Sequence, residues 1–421
     1  MIFHTEKFFS YIFLLVPLFL ITGPAVPDIV ITTSVIFSIF YFIFLKKNEE
    51  ILKLNFFIIS IIFWSSLILV SFFSYNKLNS FQDSIIFIRF LLIPFSVYFI
   101  FFKNDKIFVR LLILILLLVI FVCIDTLFQF FNYSSEFGFG KDLLGFKSNW
   151  YGRLTGPFGD ELIPGSYISK FGLIGYVYLI WNKKFTKNIF IQSIYLSLIF
   201  IVCYVTGERM SFATFAMGLI VLFIFLDGFR KSIFLSIILG FITLFIIITF
   251  HPFYNDFKII ESTQFHQGLK IEKQYKCNKT TEELCSKIID VQPSFIEIIK
   301  NFNTSAYGEI YILGYNMFKD NIFTGVGINN FKYLCETNQF YKNIMTNYDC
   351  ASHPHNIYIQ WLAEGGIVVF FIFILYLFFL VNFIFKNEGE RRFKIISLVI
   401  ILIMFWPIMS TGSLIKNWFG I

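Results

Sequence analysis

The chain has 421 residues, of which 57% are hydrophobic and 14% charged, and its mean hydropathy is +0.74. A soluble domain carries roughly a quarter charged residues, so this balance excludes a soluble enzyme and requires an integral membrane protein. The net charge of +7 sits mostly on Lys and Arg flanking apolar runs, where it anchors helices and gives no argument for nucleic acid. The 62 phenylalanines are read as lipid-facing surface.

A bilayer core of about 30 Å needs roughly 20 helical residues per crossing. Apolar segments fall at 8–22, 28–45, 55–73, 84–102, 107–131, 163–181, 189–206, 210–226, 233–250, 357–385 and 395–411. The first lacks a small-x-small cleavage site before Gly23-Pro24-Ala25-Val26-Pro27 and is read as a retained helix. The expected fold class is an all-α integral membrane protein with about 11–12 transmembrane helices and one large extracytoplasmic loop containing short amphipathic helices. Its parts are an N-terminal transmembrane bundle (1–250), a large loop (251–356) and C-terminal transmembrane helices (357–421).

Charge sets the expected orientation. Lys46, Lys47, Lys53, Lys103, Lys106, Arg110, Lys183, Lys184, Lys187, Arg230, Lys231, Lys386, Arg391, Arg392 and Lys394 all fall on one set of alternating connections. The short loops of the other set hold little beyond Lys77, Lys141, Lys147 and Arg153. The positive-inside rule puts the N-terminus in the cytoplasm and the 251–356 loop outside it. Four of the six cysteines, Cys277, Cys285, Cys335 and Cys350, lie in that loop, where an oxidising compartment pairs them. Cys277 with Cys285 and Cys335 with Cys350 is the simplest of the three connectivities, and sequence leaves all three open.

Within the loop, 254–304 is polar and reads as a surface subdomain or cover. From Gly308 a helical stripe of Ile310, Leu313, Met317 and Phe318 runs to Lys319-Asp320-Asn321. Thr324-Gly325-Val326-Gly327 is then a turn, and a second amphipathic piece, 329–344, leads to Ser352-His353-Pro354-His355-Asn356 at the start of the tenth apolar segment. Three of the five histidines lie elsewhere, so this dense run at a loop-to-helix junction is the strongest candidate site. No internal repeat, phosphate loop or soluble nucleotide-binding pattern is present.

A cation at membrane depth costs about 2.5–3.5 kcal/mol on insertion scales, so each one marks either snorkelling or a task. Arg209, in Thr206-Gly207-Glu208-Arg209, opens the eighth segment and shares a face with Ala213, Ala216 and Ile220; these small residues invite a close neighbour and suit an Arg held inward, the alternatives being interfacial snorkelling or a structural pair with Glu208. Arg153 lies in the Gly-rich stretch 151–159 and Lys170 one or two turns into the sixth segment. Arg89, in the fourth, is a further member of a cationic cluster at this membrane face, and long side chains give Lys170 and Arg89 a snorkelling reading as well. Cations with a histidine at the outer bilayer surface suit a lipid-linked phosphate or diphosphate: guanidinium forks match phosphate oxygens, and His accepts a proton from an attacking hydroxyl near neutral pH. That is glycosyl transfer from a polyprenyl-diphosphate donor, in which the cations neutralise the leaving group and no metal or cofactor is needed. His355 is the leading base, His353 the alternative, and Asn356 is equally an N-cap. The pair lacks further ligands at zinc spacing.

Thr206-Gly207-Glu208-Arg209, Tyr315-Asn316-Met317-Phe318-Lys319-Asp320-Asn321 followed by Gly325-Val326-Gly327 and Phe331, and His355-Asn356 with Gln360, Glu364 and Gly365 together resemble the O-antigen ligase and O-antigen polymerase superfamily. The resemblance covers roughly Arg153 to the end. It implies a multi-helix bacterial inner-membrane glycosyltransferase whose periplasmic loop holds the active site, with Arg209 on the diphosphate of an undecaprenyl donor and His355 activating the acceptor hydroxyl. Arg153 matches a less strict part of the pattern. Glu309 stands after Gly308 where the family often has an Arg, a role left to Arg153 or Lys170. Where the family commonly has a final helix after a Gly-Ser-Asn-Trp-like stretch, this sequence stops at Asn417-Trp418-Phe419-Gly420-Ile421, read as either a shortened protein or a truncated end.

The resulting expectation is an inverting, metal-independent enzyme of lipopolysaccharide biosynthesis. It moves an undecaprenyl-diphosphate-linked glycan to a hydroxyl of lipid A-core at the periplasmic face. The alternative is a polymerase whose acceptor is a growing glycan. A lipid-linked glycan flippase or exporter is the second alternative, set back because transporters gather polar groups at the bilayer midplane, whereas here they gather at one surface.

Overall fold

The computed structural model describes residues 2–44, 53–101, 105–135, 138–148, 152–254, 270–276, 284–290, 299–346, 348–386, 388–408 and 412–415. In chain order the helices are α1 (Ile2–Leu14), α2 (Val16–Thr22), α3 (Ala25–Phe44), α4 (Asn55–Ser71), α5 (Lys77–Ile86), α6 (Ile88–Ser96) and α7 (Asp105–Phe131). A short hairpin of β1 (Tyr133–Ser134) and β2 (Gly138–Phe139) precedes α8 (Pro164–Trp181), α9 (Ile189–Val205), α10 (Arg209–Phe225) and α11 (Arg230–Phe250). Antiparallel β3 (Lys270–Lys276) and β4 (Leu284–Asp290) pair Lys270 with Asp290 and Lys276 with Leu284. Then come α12 (Ala306–Asp320), α13 (Phe331–Thr337), α14 (Gln339–Lys342), α15 (Ile357–Lys386) and α16 (Arg391–Met404). Five described helical stretches are long and apolar enough to cross a membrane, and three shorter apolar helices accompany them. The protein is an all-α integral membrane protein. The eleventh segment is displaced toward the N-terminus, because α16 ends at Met404, ahead of Pro407, whose ring forbids continuation. The expected Cys277–Cys285 pair lies outside the described side chains.

The chain divides into two compact units, each assembled from segments distant in sequence. The first comprises residues 1–111, 301–390 and 405–421. There α4 packs along α15: Phe63 meets Trp361 at 5.3 Å and Phe373 at 5.9 Å between ring centroids, and Phe56 meets Tyr376 and Phe383. Pro94 lacks an N–H inside α6, and the helix widens at once into a π-helical turn, Val97–Phe101. Arg89 is not a free cation of a ligand cluster, contrary to the sequence expectation. It pairs with Asp28 at 2.8 Å and donates to Thr32 Oγ1, the arrangement that lets a charged side chain persist within apolar helices.

The second unit comprises residues 112–300 and 391–404. Helix α9 is its hub, packed on α8, α10 and α11. Gly218 of α10 sits against Val399 and Ile403 of α16, where a Cβ would force those side chains to shift. The close approach on α10 thus uses the Ser211, Thr214 and Gly218 face, whereas Ala213 and Ile220 are exposed. Neighbouring positions on a helix differ by about 100°, and several small residues per turn leave the choice of face undetermined from sequence.

His251, just beyond α11, is buried and stacks on Phe130 with ring centroids 4.1 Å apart. Its Nδ1 accepts from the Phe253 N–H. Burial depresses its pKa, opposed by a bond to the Phe130 backbone. A base with a depressed folded-state pKa contributes stability that is present above its ordinary value of about 6.5 and lost as pH falls through the folded value. Thermal unfolding in detergent is expected to shift down as pH drops from about 7.5 to about 5, and His251→Phe is expected to flatten part of that slope. A parallel slope in the variant would assign it to other groups.

Candidate functional site

In the first unit the site is built from the loop outward. Ser305 caps α12 by accepting from the Gly308 N–H at 3.0 Å. The apolar face of α12, with Ile310, Leu313 and Met317, then buries against Val326, Phe331, Leu334, Tyr341 and Ala363. A disulfide joins Cys335 of α13 to Cys350. It holds the chain three residues ahead of His353. Glu309 is buried and accepts from Thr346 Oγ1 at 2.6 Å. The hydroxyl of nearby Tyr348 is pushed up in pKa by burial and then by the Glu309 charge. The position where the resemblance expects an arginine is thus a carboxylate that ties α12 to the segment approaching the histidines.

His355 does not begin a helix. Its φ is +53°, the left-handed region, and α15 starts two residues later. A non-glycine residue there costs roughly 1–2 kcal/mol, and such strain persists only where the surroundings enforce it. Asn356 is one enforcer: its Oδ1 accepts from the Tyr358 and Ile359 N–H groups at 3.0 and 3.1 Å, capping α15, while its Nδ2 donates to the Pro407 carbonyl. Its side chain also bonds Tyr311. The imidazole of His355 is half-buried, with the His353 ring 4.1 Å away and the Tyr307 ring edge-on at 6.0 Å. Ser352 Oγ in turn lies 2.9 Å from His353 Nδ1.

Glu364 serves a different purpose. It is fully buried, accepts from the Phe331 N–H and from Gln360 Nε2, and Gln360 also donates to Ser413. Two residues on, α15 breaks at Gly366, where φ is 67°. The exposed backbone groups of the break are taken up by the loop: Val326 N–H donates to the Ala363 carbonyl, Gly327 N–H to Glu364, and Ile367 N–H to Ile322. On its other side the turn is held by Ser80 Oγ on the Ile328 N–H, Asp83 on Asn329, and Asn330 on the Asn76 N–H. Gly325, Gly327, Phe331, Gln360 and Glu364, scattered in sequence, therefore form one latch between loop and membrane helices.

In the second unit Glu208 reaches to the start of α8. Its carboxylate accepts from the Gly165 and Ser166 N–H groups at 2.7 and 3.0 Å and from Ser211 Oγ, filling a helix N-terminus that attracts anions. Desolvation raises its pKa, and the Arg153 charge together with these donors works against the rise. Arg153 donates from Nη2 to the Leu162 carbonyl. Lys170 donates to Ser166 Oγ and lies within the field of Glu208. Arg209, half-buried, is the first residue of α10. Gln129 shapes the Arg153 loop by accepting from the Thr155 and Gly156 N–H groups, and Leu154 N–H donates to the Thr206 carbonyl. The structure thus gathers Arg153, Lys170 and Glu208 at one corner, with Arg209 next in the chain. Sequence reasoning missed Gln129, Tyr307 and Tyr311, which carry no motif; a Gln in the last turn of an apolar helix was the available signal for the first.

Residues 194–374 match the family model described as O-antigen ligase. Over this stretch the chain is similar to the O-antigen ligase superfamily. The O-antigen ligase match takes in Glu208, Arg209, the whole latch and the His353–Asn356 run, while Arg153 and Lys170 lie upstream of it. No curated protein matches the chain. That similarity supports a ligase- or polymerase-like membrane enzyme acting on glycans.

Proposed function

We propose that the protein transfers a glycan from an undecaprenyl-diphosphate carrier to a hydroxyl of lipid A-core, at the periplasmic face of a bacterial inner membrane. The observation that carries this reading is His355, held half-buried in a left-handed backbone conformation inside the O-antigen ligase match. In this reading His355 takes the proton of the acceptor hydroxyl as its oxygen bonds the anomeric carbon from the face opposite the leaving group. The carbon–oxygen bond to the diphosphate breaks, its electron pair stays on the diphosphate, and the configuration inverts. Arg209, Arg153 and Lys170 neutralise that oxygen, and His353 and Asn356 support the base. The Cys335–Cys350 disulfide fits a loop on the periplasmic side.

The test is the glycolipid profile of a deletion strain complemented with variants. Long glycans stranded on undecaprenyl beside bare lipid A-core support ligation. Single repeats on lipid A-core support polymerisation instead, and a profile unchanged by deletion rejects both. Arg209→Ala is expected to lower donor use by about 10²-fold, the usual scale for losing one donor to a developing anion. Arg209→Lys, which keeps the charge without the fork, is expected to lose less. Equal losses in membranes with equal protein would remove the fork from the argument.

A further inference from the structure

Ile367–Lys386 is twenty residues long and carries no charge before Lys386; at 1.5 Å per residue it covers about 30 Å, a full hydrocarbon core. The ten residues before it, with Gln360 and Glu364, are surplus to a crossing, and the break at Gly366 separates them from the span. A bilayer boundary at Gly366 follows. A second observation gives the same level: Val326, which bonds Ala363, also accepts from the Tyr75 N–H. Phe72, Phe73 and Tyr75, all strongly exposed, form there the aromatic belt expected where a membrane meets water.

At this level the loop presents two large apolar side chains outward. Ile322 is 49% and Phe323 72% exposed. Ile322 accepts from the Ile367 N–H, so the pair adjoins the exposed apolar strip of Val368, Phe371, Leu375 and Phe378 on the span itself. The turn is rigid, clamped by the Ala363, Glu364 and Ile322 bonds on one side and Ser80 and Asp83 on the other. A surface continuous with a lipid-facing strip, fixed at the boundary and apolar at its tip, fits acyl chains.

We propose that the 321–324 turn is a lipid-seated finger: Ile322 and Phe323 insert among the acyl chains of the leaflet on the loop's side of the membrane. The loop is then anchored in the bilayer and does not merely hang above it. Helix α12 runs alongside the first part of α15, with Gly314 against Ile359 and Ala363. Its first turn carries Tyr307, which meets His355, and it ends at the finger. The lipid seat therefore sets the height of the His355 end of the loop, a consequence independent of which sugar is transferred.

The test uses the full-length protein reconstituted in phosphatidylcholine vesicles with and without bromine on the acyl chains. Tryptophan is introduced as Phe323→Trp, as Phe371→Trp for a reference on the span, and as Glu336→Trp for an exposed site on α13. The added emission of Phe323→Trp is expected to be blue-shifted and quenched by the brominated lipid to the same degree as that of Phe371→Trp, with Glu336→Trp unquenched. Ile322→Trp repeats the measurement if the first variant does not fold. Emission from the finger that stays red-shifted and unquenched, like that of Glu336→Trp, would overturn the proposal, as would equal quenching at all three sites.

Discussion

His355→Gly is expected to abolish glycan transfer while unfolding no earlier than the parent protein. Most active-site substitutions confound chemistry with folding, and the backbone here separates them. At φ +53° a histidine bears a steric cost that glycine does not, so the variant gains roughly what it loses in ring contacts with His353 and Tyr307 and in chain entropy. His355→Ala removes the same imidazole but keeps a Cβ in the left-handed region, and is expected to be equally inactive and less stable than His355→Gly by about 1 kcal/mol. The loss of rate for a general base is about 10²–10⁴-fold. Asn356→Ala provides the contrast, since it removes the α15 cap at a cost of about 1 kcal/mol and should lower activity only in part. The glycolipid profile and thermal unfolding of the three purified variants give both readouts. Transfer by His355→Gly at the parental rate would reject the assigned base and pass the role to His353.

The helical character of the apolar runs was legible because a stretch of about 20 apolar residues has few alternatives to a helix, but their count was not: among the described residues five helices are long and apolar enough to cross a membrane, with three shorter ones beside them. The stripe of Ile310, Leu313 and Met317 likewise marked α12, since a 3.6-residue period is a property of the sequence itself. What the sequence did not reveal depends on long-range partners. Glu364 was noted for its motif, yet its bond to Phe331 joins residues far apart in the chain, and no local pattern encodes that. The break at Gly366 had a readable sign, a Gly-Gly pair inside an apolar run preceded by polar residues four apart, but a glycine pair alone does not say which backbone groups come free or what accepts them. Arg89 and Arg209 looked alike as cations beside apolar runs. Asp28 on a separate helix makes the first a structural ion pair, and only the fold brings that partner within 2.8 Å.

Glu364→Leu is expected to be the most destabilising single change in the first unit, by about 2–5 kcal/mol. The carboxylate is fully buried and accepts from the Phe331 N–H and the Gln360 amide. Its loss leaves the Phe331 N–H without this acceptor and the Gln360 amide with Ser413 alone, each lost bond costing roughly 1–3 kcal/mol. The break at Gly366 compounds the effect, because the Ala363 and Glu364 carbonyls rely on the same turn that Phe331 follows. When that turn loosens, α12 loses its register on α15 and His355 loses the neighbour that Tyr307 provides, so activity falls although no group near His355 has been changed. A second substitution tests the cause. In Gln360→Leu/Glu364→Leu the Gln360 amide is gone too, and the double variant is expected to cost less than the sum of the two single variants, as groups in direct contact do. Thermal unfolding in detergent and proteolysis of the loop measure both. Strict additivity would show that Gln360 and Glu364 act separately, and the destabilisation of Glu364→Leu would then belong to Phe331 and the turn alone.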